Sequence, residues 1–539
     1  MKQILSFLFC CFTLLLMSQS LTKLNLSSND IIMNDVIGMS LFSNLGINPG
    51  SKVCGINCTN MTSNQSEIML LPFYNESDIT TSFFIYPKLG NLYINKVIHT
   101  GHDDVFFIGT YNNSGSGNLM VFGIFSLKLK TIKTLKVVSL STDPNFILKP
   151  VDVLYSNNEF YILAESLISY LSELNSKIVL IKFDGNNILW ANIYNSIAPI
   201  NSEAPSSINM APNGNLILSG TIRKANDTEP RMMLAQFDTD GNPVKMKTVE
   251  LLFPDVKHNN RFGWTYVKSK GINIHLFSQA EIGASEPGTV LMTMFDNDLN
   301  LRTWRNFTAP IRVESVNTDG NFFLFGGQAP FEYGYEGYAL MKVNSSNAIV
   351  EQFKYYKTEL KNSSIATSSS SVYDRVTDRI WTIIKPNGTG ENYLILLENP
   401  SVLDHRCAEN LTSTVAKDTM RLTENPVNTK ALQLQLSDID ASVREIDLII
   451  KEVCNTTGVK NSTQDQVSIF PNPVIGSFNL KSDKSIEKIN IYNSLGNALY
   501  QKRIDGVQFF VETNLAAGVY IVQIFFKDKS FITKKIVVD

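Results

Sequence analysis

The sequence predicts an all-β protein: a β-propeller of about seven blades followed by a small C-terminal β-sandwich. Three observations carry this prediction. A strongly apolar strand pattern recurs seven times between Cys54 and Pro400. Aromatic residues make up 10% of the 539-residue chain, which suits β structure. From Val467 onward, short alternating apolar runs are separated by Pro, Gly and Asn, as in a compact sandwich.

Each repeat is predicted to be one blade of four antiparallel strands. The steps between repeats are 51, 59, 54, 58, 48 and 55 residues, measured between the strand centres Leu70, Val121, Leu180, Leu234, Met292, Leu340 and Ile395. A second apolar strand precedes each of these. A strand repeat of this length indicates a propeller rather than a helical solenoid. The propeller is assigned to residues 31–404, with six blades as the alternative because the first repeat is the most irregular.

The loops between the second and third strands of the repeats are long and differ from blade to blade. Variable loops on a rigid scaffold are where recognition usually takes place, so this face is the expected ligand face. One such loop carries the aromatic residues Tyr333, Tyr335 and Tyr338. These rings could stack on sugars in a ligand, or they could simply cover the edge of the blade.

The loops between the third and fourth strands are short. One of them, Asp238-Thr239-Asp240-Gly241-Asn242, has the alternating oxygen ligands of a calcium loop. It lacks the final bidentate Glu, so a tight turn is the preferred interpretation and calcium the alternative. No other cofactor or metal site is expected.

Signatures of enzymes are missing from the sequence, which has neither an H-E-x-x-H nor a G-x-S-x-G motif. Among the five histidines, His275 alternates into an apolar strand and is predicted to be a packing residue. The net charge of −3 gives no reason to expect nucleic acid or an anionic membrane as a partner.

The start of the chain has the pattern of a secretory signal peptide, assigned to residues 1–20. A short basic start is followed by the apolar run Ile4–Met17 and by the small residues of a cleavage site at Ser18-Gln19-Ser20. No other stretch is long and apolar enough to span a bilayer. An exported protein is therefore expected.

Four cysteines remain after removal of the signal peptide, namely Cys54, Cys58, Cys407 and Cys454. An even number in an oxidising compartment suggests two disulfides, and four cysteines allow three pairings. The simplest pairing is Cys54 with Cys58 and Cys407 with Cys454.

Residues 405–466 are predicted to be a polar connector with one structured piece. Apolar residues from Leu432 to Val453 fit both a heptad repeat and strand alternation. Periodicity does not decide between a helix and strands. The β-branched residues favour a pair of strands that turn around Ser437–Ser442.

The tail, residues 467–539, carries four sequence elements in order: Phe470-Pro471-Asn472-Pro473, Ile491–Gly496, Leu515–Tyr520 and Thr533–Ile536. Together they resemble the type A C-terminal sorting domain of proteins exported by the type IX secretion system. The resemblance implies this machinery as a partner and a Gram-negative source. It assigns the sorting signal to Pro471, Asn472, Pro473, Gly496, Gly518, Tyr520, Lys534 and Lys535. Gly518 is expected to need backbone angles that a side chain would strain.

The sequence therefore predicts a protein that passes through the periplasm and is released or held at the outer cell surface. The expected function is a non-enzymatic binding or adhesion module for an extracellular glycan or protein. The alternative is a secreted hydrolase that acts on polysaccharide or peptide at the propeller face.

Overall fold

The structure is a computed structural model. It describes residues 20–538 except for 27–30, 42–51, 74–80, 101–102, 114–116, 141–145, 171–172, 197–199, 225–230, 253–260, 282–288, 309–310, 319–321, 330–336, 347–349, 358–367, 375–378, 386–392, 401–408, 411–413, 417–418, 456–466, 494–497 and 528–530. Every helix or strand in this part of the chain is a β-strand, which confirms the all-β prediction. These residues include no helix that could cross a membrane. The chain divides into two compact units, Met1–Thr457 and Gly458–Asp539.

The first unit is built mainly from groups of four antiparallel strands. A strand from the start of the chain, β1 (Ser20–Leu26), precedes them. The first three groups are β2 (Ile31–Leu41), β3 (Lys52–Asn60), β4 (Gln65–Phe73), β5 (Thr81–Pro87); β6 (Asn91–His99), β7 (Asp104–Asn113), β8 (Gly117–Ser126), β9 (Thr131–Leu140); and β10 (Ile147–Ser156), β11 (Glu159–Tyr170), β12 (Glu173–Phe183), β13 (Ile188–Ser196).

The next three groups have the same organisation. They are β14 (Ile200–Met210), β15 (Leu216–Lys224), β16 (Arg231–Phe237), β17 (Pro243–Leu252); β18 (Arg261–Lys270), β19 (Asn273–Glu281), β20 (Thr289–Phe295), β21 (Leu301–Thr308); and β22 (Arg312–Thr318), β23 (Phe322–Ala329), β24 (Gly337–Asn344), β25 (Val350–Lys357). We number these six groups blade 1 to blade 6 along the chain.

A seventh group is completed by the start of the chain. Its first three strands are β26 (Ser368–Asp374), β27 (Arg379–Lys385) and β28 (Tyr393–Pro400). Its fourth strand is β1, which pairs antiparallel with β28. We number this group blade 7. The chain therefore closes its ring by placing both ends of the propeller sequence in one sheet. The predicted propeller boundary at Ile31 leaves out this closing strand, β1.

The first strands of the blades surround a central axis. Strand β2 contacts β6 on one side and β26 on the other, β10 contacts β6 and β14, and β14 contacts β18. The apolar core lies between neighbouring blades. One cluster joins Cys54 of blade 1 to Trp381 of blade 7, and another joins Ile68 of blade 1 to Phe107 of blade 2. Face-to-face packing of blades around a closed ring is the architecture of a β-propeller.

The segment after blade 7 forms a belt around the propeller, which we define as residues 409–455. Its strands are β29 (Glu409–Asn410), β30 (Thr414–Ala416), β31 (Thr419–Glu424), β32 (Val427–Ala431), β33 (Leu434–Asp438) and β34 (Ala441–Asn455). The first five add a fifth strand to blades 6, 5, 4, 3 and 2, in that order. Strand β34 then pairs with β5 of blade 1 and with β1 of blade 7. The belt makes one circuit against the order of the blades.

The belt covers the outer edges of the blades, which would otherwise present unpaired backbone N–H and C=O groups. The segment expected to be a polar connector is therefore strand for most of its length. Strands form on both sides of Ser437–Ser442, as the alternation favoured, and the heptad helix is wrong. However, β33 and β34 do not pair with each other, because each pairs with a propeller edge.

The second unit is a small all-β domain, as the tail sequence predicts, but it is one closed sheet and not a sandwich of two sheets. It consists of β35 (Ser468–Ile475), β36 (Ser477–Tyr492), β37 (Ala498–Glu512), β38 (Gly518–Phe526) and β39 (Phe531–Val538). Strand β35 pairs with both β36 and β39, so the sheet closes on itself in a barrel-like form. A single apolar cluster that includes Phe478, Ile489 and Ile524 fills it.

Candidate functional site in the propeller channel

The inner strands of the propeller carry β-bulges at closely related positions. The register shifts between Ile94 and Lys96 in β6, between Pro150 and Asp152 in β10, and between Pro205 and Ser207 in β14. Strands β2, β18 and β22 contain such shifts as well. A bulge leaves one residue unpaired and turns the side chains that follow, so it commonly lies beside a functional site.

Small residues on the neighbouring strands make room for these bulges. A Cβ atom added to Gly109 would lie 1.9 Å from the carbonyl oxygen of Tyr93, and one added to Gly220 would lie 2.3 Å from that of Ala204. The inner strand therefore approaches its neighbour more closely than a side chain allows. These two glycines fix the path of the inner strand just before the bulge.

Buried polar side chains join the inner strand of one blade to its neighbour. The Asn57 side chain donates to the carbonyl oxygen of Ile94 at 3.0 Å and accepts from the Ile94 N–H at 2.8 Å. Gln279 likewise accepts from the Val313 N–H, at 3.0 Å. Such paired bonds hold adjacent blades in register, so the channel wall is rigid.

Charged side chains on the inner strands of three blades interact with one another. Lys96 of blade 2 lies 3.1 Å from a carboxylate oxygen of Asp152 in blade 3. Lys268 of blade 5 interacts electrostatically with both of them, and Tyr266 on the same strand interacts with Lys96. Blades 2 and 5 are separated by two other blades around the ring. The interaction of Lys96 with Lys268 therefore crosses the channel.

Both oxygens of the Asp152 carboxylate have donors. One oxygen accepts a hydrogen bond from the N–H of Val153, the next residue, at 3.0 Å. The other oxygen accepts a hydrogen bond from the N–H of Ile208 in blade 4, also at 3.0 Å. The negative charge of Asp152 raises the pKa of Lys96, against the effect of burial. An ammonium group and two amides therefore hold this carboxylate in one orientation. The structure thus keeps Asp152 in contact with Lys96.

The aromatic loop proposed as a ligand contact lies largely outside the described residues. Tyr333 and Tyr335 fall in the gap at 330–336. Tyr338 belongs to β24, where its backbone pairs with Gln328 and Tyr356, and its side chain is not described. Most of the variable loops fall in the same gaps, so the variable-loop face stays a prediction.

The turn considered for calcium is held together by its own first residue. One Asp238 carboxylate oxygen accepts from the N–H groups of Asp240 and Asn242, and the other accepts from the Asn242 amide. Burial is the largest single influence on the pKa of Asp238 and raises it. The hydrogen bonds together outweigh burial, so the pKa is lowered. The turn of blade 5 repeats the arrangement with Asp296 and Asn300. The geometry favours a tight turn in which the Asp oxygens have donors within the turn.

The simplest disulfide pairing is wrong for its first pair. Cys54 and Cys58 lie on one strand, β3, and both are buried in the cluster between blades 1 and 7. Four residues of extended chain separate Cα atoms by about 13 Å, whereas a disulfide requires less than about 7 Å. Cys407 falls in a gap and the side chain of Cys454 is not described, so their pairing stays a prediction.

The tail residues assigned to the sorting signal are spread over the second unit. Pro471, Asn472 and Pro473 lie in β35, where pairing with β36 is interrupted between Phe470 and Ile475. Such an interruption suits prolines, which have no N–H to donate. Lys534 and Lys535 are exposed on β39, and Gly496 falls in the gap at 494–497.

The expectation for Gly518 is wrong. Its φ is not in the left-handed region, and an added Cβ would meet the Tyr520 ring at 3.6 Å, an ordinary contact. The Tyr520 ring folds back over this position, and its hydroxyl donates to the carbonyl oxygen of Ala516 at 2.7 Å. The glycine begins β38 opposite Val538 without strain.

Sequence reasoning missed Lys96, Asp152 and Lys268. Each is a single charged residue in a β-strand, and such a residue is usually solvated. One sequence feature could have indicated the bulges beside Lys96 and Asp152. The second strand of several blades has a small residue that pairs with the inner strand at its bulge, namely Gly109, Ala164 and Gly220.

Comparison with solved structures gives distant likenesses. A Trypanosoma rangeli sialidase in complex with 2,3-difluorosialic acid is 12% identical with a TM-score of 0.36, covering 61% of this chain and 56% of the sialidase. The chain thus spans about half the length of that enzyme. PorZ of Porphyromonas gingivalis, described as an essential surface component of its type IX secretion system, is 10% identical with a TM-score of 0.24, covering 94% of this chain and 81% of PorZ. Scores this low carry no argument.

No curated protein matches the chain. The model of the secretion system C-terminal sorting domain matches residues 468–539. This range contains all five strands of the second unit and the four elements that the sequence shares with type IX cargo. The C-terminal unit is therefore a type IX sorting domain, and the protein that carries it is secreted.

Proposed function

We propose that the protein is exported by the type IX machinery, after a signal peptide directs it to the periplasm, and acts outside the cell as a binding module. The propeller is the binding part and the C-terminal unit is the export signal. A rigid ring with blades fixed by side-chain bonds and a belt is suited to presenting a site without moving. Binding by such a preorganised surface loses little conformational entropy.

The observation that favours binding over hydrolysis is the state of Asp152. A glycoside hydrolase needs two carboxyl groups, one as an acid and one as a base or nucleophile. Asp152, on the inner strand β10, is held by Lys96 and by the Ile208 N–H. Both of its oxygens already have donors within the propeller, which disfavours a role for Asp152 in proton transfer to a substrate.

A binding screen followed by product analysis tests the proposal. Residues 21–539 should be tagged at the C-terminus, because β1 is part of blade 7, and applied to arrays of extracellular glycans and proteins. We expect saturable binding to one class of polymer and recovery of that polymer intact. Fragments of the bound polymer, generated by the unmodified chain and absent with Asp152→Asn, would support the hydrolase instead. Absence of binding to every class would contradict the proposal.

A further inference from the structure

We propose that the propeller channel contains a binding site for an oxyanion, the carboxylate or sulfate group of an acidic ligand, with Lys268 as its principal contact and Lys96 as its second. The proposal rests on the binding function proposed above and specifies the ligand chemistry. It is carried by the arrangement of charges at the axis.

The two lysines lie on the inner strands of blades 2 and 5, which two other blades separate around the ring. Lys96 lies directly after the bulge of β6, and Lys268 lies near the end of β18. The N–H of Val267, next to Lys268, donates to the Ser207 hydroxyl at 2.7 Å. The N–H of Ile208, the residue after Ser207, donates to Asp152 at 3.0 Å, so β14 links the strand of Lys268 to Asp152. Lys268 pairs in register with His275 and lies three residues before the turn at 271–272. The site therefore lies toward the mouth of the channel that is bounded by the tight turns.

The charges at this place do not balance. Lys96 is paired with Asp152, whose oxygens also accept two backbone N–H groups. No hydrogen bond or ion pair joins Lys268 to any residue that the structure describes. Two ammonium groups thus share one carboxylate, and among the described residues nothing else neutralises the charge of the partly buried Lys268.

An unneutralised cation in a confined channel is unfavourable for folding unless a ligand neutralises it. Burial first, and then the charge of Lys96, lowers the pKa of Lys268, and Asp152 offsets this only in part. An anion between the two lysines would remove their repulsion and replace the water lost by Lys268. The ammonium group binds as a point charge, so a single carboxylate or sulfate suits it.

The first experiment measures small anions by calorimetry and by thermal shift at constant ionic strength. The probes are sulfate and galacturonate, with galactose as the neutral comparison, and the protein is residues 21–539. We expect both anions to bind and to raise the melting temperature, and Lys268→Gln to weaken binding by about tenfold or more. Lys128→Gln changes an exposed lysine in the turn after β8 and should leave binding unchanged.

A second readout separates binding from folding. Without anion, Lys268→Gln should melt at the same or a higher temperature than the unmodified chain, because it removes the repulsion from Lys96. If Lys268 had only a structural role, its replacement would lower the stability. Loss of anion binding without loss of stability therefore indicates a binding role. Lys268→Arg keeps the charge and should retain part of the affinity.

Polymers then identify the source of the anion. Polygalacturonate and dextran sulfate are compared with neutral dextran, and preference for one of the first two assigns carboxylate or sulfate. If Lys268→Gln binds both small anions as tightly as the unmodified chain, or if Lys128→Gln loses as much, the site is wrong. Polymer binding that survives Lys268→Gln would overturn the site and leave the binding function intact. Lysine-dependent binding of small anions without binding of any polymer would support the site and contradict the binding function.

Discussion

Lys52 and Asp374 form a fully buried ion pair between the first and the last blade of the ring. The Lys52 Nζ lies 2.8 Å from a carboxylate oxygen of Asp374, and both side chains have 0% exposure. The same ammonium lies 4.5 Å from the centre of a Trp381 ring. Lys52 begins β3 and Asp374 ends β26, so the pair closes the ring at the one blade interface whose strands come from opposite ends of the chain.

Removing one member of this pair should destabilise the propeller strongly. We expect Lys52→Met or Asp374→Asn to lower the free energy of unfolding by about 3–5 kcal/mol, because each leaves a buried group without its partner. The double change Lys52→Met with Asp374→Leu should recover much of this loss. The measurement is denaturant unfolding of the first unit. Lys88→Met is the control, since the Lys88–Asp440 pair is exposed and should be worth at most about 1 kcal/mol. Equal effects at both pairs would contradict the closing role.

His275 should make the propeller sensitive to acid. It is buried among Phe277 and Phe323, as the strand alternation predicts, and burial followed by the charge of Lys270 lowers its pKa from 6.5 to about 4. Between these pH values the unfolded chain binds a proton that the folded chain does not, so stability falls as pH decreases through this window. The full effect is about 3 kcal/mol. We expect His275→Phe to lack this part of the pH dependence in unfolding measured from pH 7 to 4. An unchanged profile would mean that other groups dominate.

The belt should be required for the propeller to be monomeric and protease-resistant. A chain of residues 21–404 exposes the outer edges of all the blades, whereas residues 21–457 keep the belt that covers them. We expect the longer chain to be monomeric and protease-resistant and the shorter one to aggregate, because unpaired strand edges promote association. Size-exclusion chromatography and limited proteolysis compare the two. A monomeric, resistant shorter chain would show that the edges need no cover.

Two glycines should differ sharply in their tolerance of a side chain. We expect Gly109→Ala to destabilise the propeller by about 2 kcal/mol or more, since its Cβ would collide with the Tyr93 backbone. Gly518→Ala should change stability by less than about 0.5 kcal/mol, because its Cβ has room. Thermal unfolding of the full chain measures both. A large loss at Gly518 would show that the tail needs that residue for folding.

The tail should be dispensable for folding and indispensable for export. A chain that ends at Asp465 keeps the whole first unit and lacks the sorting domain that matches residues 468–539. We expect it to be folded and retained in the periplasm, as detected by cell fractionation with the full chain as the reference. Its appearance outside the cell at the level of the full chain would contradict the sorting role.

The sequence by itself determined what depends on local pattern: the strands, their repeat, the small C-terminal domain and its sorting elements. Apolar alternation and turn residues act within a few positions of each other, so strands such as β8 and β16 follow from the chain. The tertiary structure alone decided which edges pair. Strand β1 meets β28, and the belt strands meet blades far away in sequence, because backbone hydrogen-bonding groups are the same in every strand and specify no partner. It also decided the channel. Lys96, Asp152 and Lys268 lie on three separate strands, and only the closed ring brings these strands around one axis.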